Sequence, residues 1–96
     1  MHLANRFYVY NEHAMIRVQL FASLKEAAGL SRIELSLANP KTAREVFDSL
    51  VSEYPGLKRF RSTLLVAVNE EYASWDTVVE PNDEVAFFPP VSGGVR

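Results

Sequence analysis

The sequence contains no cysteine. That absence removes disulfides, thiolate metal sites and a nucleophilic thiol in one step, and it fits a reducing compartment. Histidine is scarce: His2 and His13 both lie in an irregular N-terminal stretch, where they read as solvated residues. The core therefore offers neither a serine–histidine pair nor a histidine metal set, and no metal site is expected. Long apolar runs are missing too. A membrane span needs about 20 such residues, whereas the longest runs here, Leu64–Val68 and Val85–Val91, are strand-sized. Met1–Ala14 holds Asn5, Arg6, Asn11, Glu12 and His13, so it lacks the apolar stretch of a secretion signal. Nor does one charge dominate: 10 basic against 12 acidic residues leave −2, no footprint for nucleic acid or an anionic membrane. These absences point to a soluble, cytoplasmic protein with neither nucleic acid nor membrane as partner.

What is present is ordinary globular composition, 48% apolar and 23% charged over 96 residues. A chain of this size buries about two thirds of its unfolded surface, enough for one core and no second domain. Regular patterning begins at Met15, which stands as an alternative start and leaves residues 1–14 as a flexible N-terminal extension. Ile16, Val18 and Leu20 alternate with Arg17, Gln19 and Phe21 as in a half-buried strand. Ser23 to Glu26 has capping-box spacing and Gly29 suits a left-handed stop, predicting a short helix between them. Ile33, Leu35 and Leu37 mark a second strand. Thr42 to Glu45 is another capping box, opening a helix whose apolar face is Ala43, Val46, Phe47, Leu50, Val51 and Tyr54, closed by Pro55-Gly56. Lys58-Arg59-Phe60-Arg61 reads as a solvated linker with Phe60 tucked inward. Leu64–Asn69 is a buried strand, Tyr72-Ala73 a short edge strand after a turn at Asn69-Glu70, and Val78–Asp83 a loop. Glu84–Phe88 is the last strand, stopped by Pro89-Pro90. The predicted order is β-β-α-β-β-β. One main helix over one face of a small mixed sheet is the economical α+β packing, with residues 15–90 as the domain and 91–96 as a flexible C-terminal tail.

An enzyme site is hard to find. Glu70-Glu71 and Asp83-Glu84 are adjacent carboxylates, which on a strand point to opposite faces, so they read as turn residues and not as an acid/base pair. Trp75 reads as a packing residue in a loop. Gly93-Gly94 is too short to cradle a phosphate, and no helix follows it. The tail has a different property. Pro89-Pro90 gives a stiff departure from the body, and two glycines let the backbone enter a narrow slot. A glycine carboxyl group is the least hindered acyl group a chain can present. The competing reading is a frayed terminus.

The run Asp83-Glu84-Val85-Ala86-Phe87-Phe88-Pro89-Pro90-Val91-Ser92-Gly93-Gly94 resembles the C-terminal signature of the molybdopterin synthase small subunit, the MoaD family. Leu64–Asn69 resembles that family's third strand, and Ile16–Gly29 its opening strand and short helix, so the resemblance spans Met15 to Gly94. It implies a ubiquitin-like β-grasp fold and sulfur carried on Gly94 as a thiocarboxylate, with Ser92 and Gly93 threading into the partners. It implies no bound cofactor; ATP is used by a MoeB-like activating enzyme, which adenylates the glycine carboxylate before a sulfur donor replaces the adenylate. The loaded tail then enters a MoaE-like large subunit, which holds the catalytic residues and converts cyclic pyranopterin monophosphate to molybdopterin. By position, the family's apolar docking surface falls on Phe21, Tyr72 and Phe88.

A physical argument leads to the same surface. Phe87 and Phe88 are neighbours on a strand and cannot both face a helix-covered core, so one aromatic is left for a partner. One feature departs from the family: Val95-Arg96 follow Gly94. Either a tail-processing protease removes them, or they are foreign to the natural chain, or the chain is not charged. Three functions stay open at this point: sulfur carrier of molybdopterin synthase, β-grasp carrier of another sulfur pathway or protein modifier, and an interaction module whose tail does no chemistry.

Overall fold

Ile16, Val18 and Leu20 form the second half of a ten-residue strand, β1 (Asn11–Leu20), and all three are buried. The strand starts at Asn11 and not at Met15. The Asn11 side chain accepts from the backbone N–H of His13 and Ala14, and the register with the next strand slips between Asn11 and Met15. Extra residues at such a bulge break the alternation that a sequence reader relies on. The computed structural model describes residues 9–90; residues 1–8 of the expected extension and the whole of the tail at 91–96 lie outside the described residues.

After β1 the chain turns at Ala22 (φ 54, ψ −124) into α1 (Ser23–Ala28), closed by Gly29 in the left-handed region at φ 86. The Ser23–Glu26 capping box does not form. The turn occurs at Ala22, which takes the N-cap position, and Ser23 becomes the first helical residue with no capping bond from that position. β2 (Arg32–Leu37) then runs back antiparallel to β1. A two-residue strand, β3 (Lys41–Thr42), leads into α2 (Ala43–Glu53), where the second capping box is complete: Glu45 N–H donates to Thr42 Oγ1 at 3.2 Å and Thr42 N–H to Glu45 Oε1 at 2.9 Å. Thr42→Ala is expected to cost about 1 kcal/mol in urea unfolding, while Ser23→Ala stays within a few tenths. Equal costs would contradict this assignment of the caps.

The segment Pro55–Thr63 is a 3-10 helix, more ordered than a linker, with Leu57 buried and Phe60 packed on the core as expected. Two of its three cations are occupied: Arg59 lies 4.7 Å over the Phe60 ring, and Arg61 pairs with Asp48 above Phe47. β4 (Leu65–Val68) and β5 (Glu71–Ala73) form a hairpin whose two turn residues, Asn69 and Glu70, both have positive φ (52 and 71), the twist a two-residue hairpin loop favours. The expected loop at Val78–Asp83 contains a short strand, β6 (Val78–Val79), paired with β3. A two-residue bridge has no alternation to read. β7 (Glu84–Phe88) ends the described fold before Pro89.

The main sheet has the order β2-β1-β7-β4-β5, with β1 and β7 parallel at its centre and the other pairs antiparallel. α2 buries Ala43, Val46, Phe47 and Leu50 in the same core as Val18, Leu20, Val66, Val85 and Phe87. Trp75 stacks on Phe87 (5.7 Å, 24°) and meets Phe47 edge-on (5.6 Å), so its packing role is as expected. Among the described residues, no helix is long and apolar enough to cross a membrane.

Candidate functional site

Residues directly opposite one another in a ladder share a face of the sheet. Leu20, Phe87, Val66 and Ala73 are opposed on the core side, so the intervening residues face away from α2. There Arg32, Gln19, Ala86, Ala67 and Tyr72 form one row across all five strands. Phe88 lies opposite Leu65 in the next row, with Phe21 just past the end of β1. Phe87 is fully buried and Phe88 half-buried, which resolves the adjacent pair as the sequence required.

The three expected docking residues come together. Phe88 is central: its ring centroid is 6.5 Å from Phe21 in an edge arrangement and 6.1 Å from Tyr72. Phe21 is 45% exposed and Tyr72 80%. Beside them the small side chain of Ala86 leaves a groove of about 500 Å³, walled by Phe21, Phe88, Gln19, Glu70 and Glu84. The other expected residues, Ser92, Gly93 and Gly94, lie outside the described residues.

Polar chemistry around the groove serves position. Gln19 Nε2 donates to Glu84 Oε2 at 2.5 Å. Asn69 Nδ2 donates to Asp83 Oδ1 at 2.9 Å, and Asn69 Oδ1 accepts from Glu84 N–H at 3.0 Å. This latch ties the β4–β5 turn to the start of β7, and so brings Glu70 to the same groove as Glu84. Asp83 also accepts from Glu80 N–H at 2.8 Å, as a turn residue does. Among the described residues no three His, Asp or Glu side chains gather as a metal set. The arrangement presents an exposed aromatic face beside a groove edged by carboxylates.

Gln19, Glu70, Glu84 and Ala86 were not legible as site residues. The alternation of β1 and β7 puts Gln19, Glu84 and Ala86 on the open face, but Glu70 arrives through the β4–β7 ladder and the Asn69 bonds to Glu84 and Asp83 that extend it.

Residues 18–94 match the model of the ThiS family. The chain belongs to the ThiS family. The match reaches from Val18, near the end of β1, through Gly94, so it takes in the other four strands of the main sheet, α2 and the glycine pair. Among curated relatives, this ThiS-family chain is 38% identical over 79 residues to the molybdopterin synthase sulfur carrier subunit of Arabidopsis thaliana, covering 82% of each chain. It is 37% identical over 81 residues to the Dictyostelium discoideum protein of the same name, covering 81% of this chain and 94% of that one. Of solved structures, small archaeal modifier protein 1 of H. volcanii superposes with a TM-score of 0.73 at 30% identity, covering 81% of this chain and 99% of the other. The fold is the ubiquitin-like β-grasp, an α+β mixed sheet gripping one main helix, as the sequence implied.

Proposed function

We propose that this chain is the sulfur-carrier subunit of molybdopterin synthase. The observation that carries the reading is the site of the open aromatic face: it culminates at Phe88, two residues before Pro90, where the chain departs toward Gly93-Gly94. A protein seated on Phe21, Tyr72 and Phe88 is then placed to receive the tail. The names and coverage of the curated relatives support the same reading.

In this scheme the chain supplies an acyl group and a docking surface, and catalysis belongs to its partners in the cytoplasm. A Gly94 carboxylate oxygen attacks the α-phosphorus of ATP in an activating enzyme, and pyrophosphate leaves. A sulfur donor attacks the acyl carbon, and AMP departs with that oxygen. The thiocarboxylate then enters the large subunit, which transfers sulfur to cyclic pyranopterin monophosphate. Exposure of a Gly94 terminus requires removal of Val95-Arg96, a task for a protease. The mass of the chain after incubation with activating enzyme, ATP and sulfide tests the carrier step.

Docking has its own test. Phe88→Ala, and Ala86→Leu as a groove-filling variant, are expected to weaken large-subunit binding about tenfold or more while Tm changes little, because both sites lie on the uncovered face. If Phe88→Ala unfolds the domain and leaves affinity intact in the folded fraction, the face is not a docking surface.

A second reading is a ubiquitin-like modifier, favoured by the similarity to small archaeal modifier protein 1. It is distinguished by proteins recovered from cells with the tail joined to their lysines; the carrier reading expects the large subunit, held without a covalent bond.

A further inference from the structure

Two grooves of the open face, one on each side of Phe21, carry opposite charge, while Arg17 lies opposite Glu34 and Glu84 in the neighbouring row. On one side is the groove walled by Glu70 and Glu84. On the other, a second groove of about 360 Å³ has Lys25 and Arg32 on its walls. Phe21 and Gln19 are common to both. None of the four charged side chains is ion-paired among the described residues, where the pairs are Glu12–His13, Arg44–Asp76 and Asp48–Arg61. Gln19 moreover fixes one carboxylate of the acidic side, through the bond to Glu84 Oε2. A carboxylate already held in place loses less conformational freedom on meeting a cation.

We propose that this face takes a dipolar protein element. It sets an ammonium or guanidinium against Glu70 and Glu84 and a carboxylate against Lys25 and Arg32, with an apolar side chain between them over Ala86. The occupant is the protein that receives the tail, because Phe88 is at once a wall of the acidic groove and the end of the strand from which the tail departs. The inference rests on the carrier reading and adds to it: aromatic contact supplies adhesion, and the separated charges set the orientation in which the partner lands. Charge complementarity at an interface acts mainly on association rate and on orientation.

The test measures association of the full chain with the large subunit at low and high salt. Glu70→Lys with Glu84→Lys, and separately Lys25→Glu with Arg32→Glu, are each expected to slow association about 10- to 100-fold at low salt, with the difference shrinking as salt screens it. Glu53→Lys and Lys58→Glu, on the helical side, serve as controls for net charge and are expected to change the rate by less than about threefold. Glu84→Gln and Lys25→Gln give milder losses of the same sign should a reversal disturb the fold. If both reversed pairs behave like the controls while Phe88→Ala still weakens binding, the charge division is overturned and the docking reading stands. If Phe88→Ala also binds normally, the docking reading itself fails. Self-association of the isolated chain that is abolished by the same reversals would assign the face to a second copy and overturn the proposal.

Discussion

A chain ending at Gly94 is expected to gain the mass of one sulfur-for-oxygen exchange when incubated with activating enzyme, ATP and sulfide. The untrimmed chain is expected to gain nothing unless a protease is present, because its Gly94 carbonyl is an internal amide with no carboxylate oxygen to attack ATP. Substitution should separate chemistry from stability. Gly94→Ala, in a chain ending at residue 94, adds a methyl group beside the reacting acyl carbon. Displacing a reacting centre by about 1 Å can cost about 100-fold in rate, so thiolation is expected to slow by that order. Its melting curve should overlay that of the parent, since the core of the described fold is built from residues up to Phe87. Intact-protein mass spectrometry over a time course reads both results. Failure of the chain ending at Gly94 to be adenylated or thiolated would falsify the carrier function and leave the interaction-module reading.

Phe47→Ala is expected to have the largest effect on stability. Phe47 is fully buried on α2 and meets Phe87 at 5.1 Å and Trp75 at 5.6 Å, both edge-on. Arg61 closes over its ring at 5.2 Å. Truncation removes one member of a three-ring cluster in which each ring meets the other two, and leaves a cavity between helix and sheet. Such a change costs about 3–5 kcal/mol, a large fraction of the roughly 5–15 kcal/mol that holds a domain folded. In a domain of this size each kcal/mol corresponds to roughly 4–8 °C in Tm, so a calorimetric scan resolves the effect easily. A loss below about 1 kcal/mol would mean that the sheet and helix repack around the gap, and the cluster would not be the centre of the core.

The contrast between Phe47 and Phe88 shows how far the sequence could be read. Strand alternation alone separates Phe87 from Phe88, and helical spacing alone puts Phe47 inside; both inferences need only local geometry. The Thr42–Glu45 cap, the Gly29 stop and the Asn69-Glu70 turn were legible for the same reason. Ser23–Glu26 has identical capping chemistry, yet the chain turns one residue earlier at Ala22, and nothing in the motif reports that. The β3–β6 bridge was hidden because two residues carry no period. The bulge after Asn11 hid the start of β1 in a similar way, by removing the alternation. On the open face, Phe21, Tyr72 and Phe88 could be named in advance through the family resemblance. The charges around them could not, because Glu70 reaches the groove through the pairing of β4 with β7 and the Asn69 bonds that extend it, between segments distant in sequence.

The parallel pairing of β1 with β7 has a consequence for the order of events during synthesis. β7 occupies the position between β1 and β4, so until residues 84–88 have left the ribosome the sheet is two separate pieces, β2-β1 and β4-β5. Neither piece has the Phe87 that fills the core or the Phe88 that joins Phe21 to Tyr72. Non-local pairing of this kind forms late in folding. The open aromatic face is therefore completed only when β7 is in place, and a chain that has not yet released residues 84–88 does not present it.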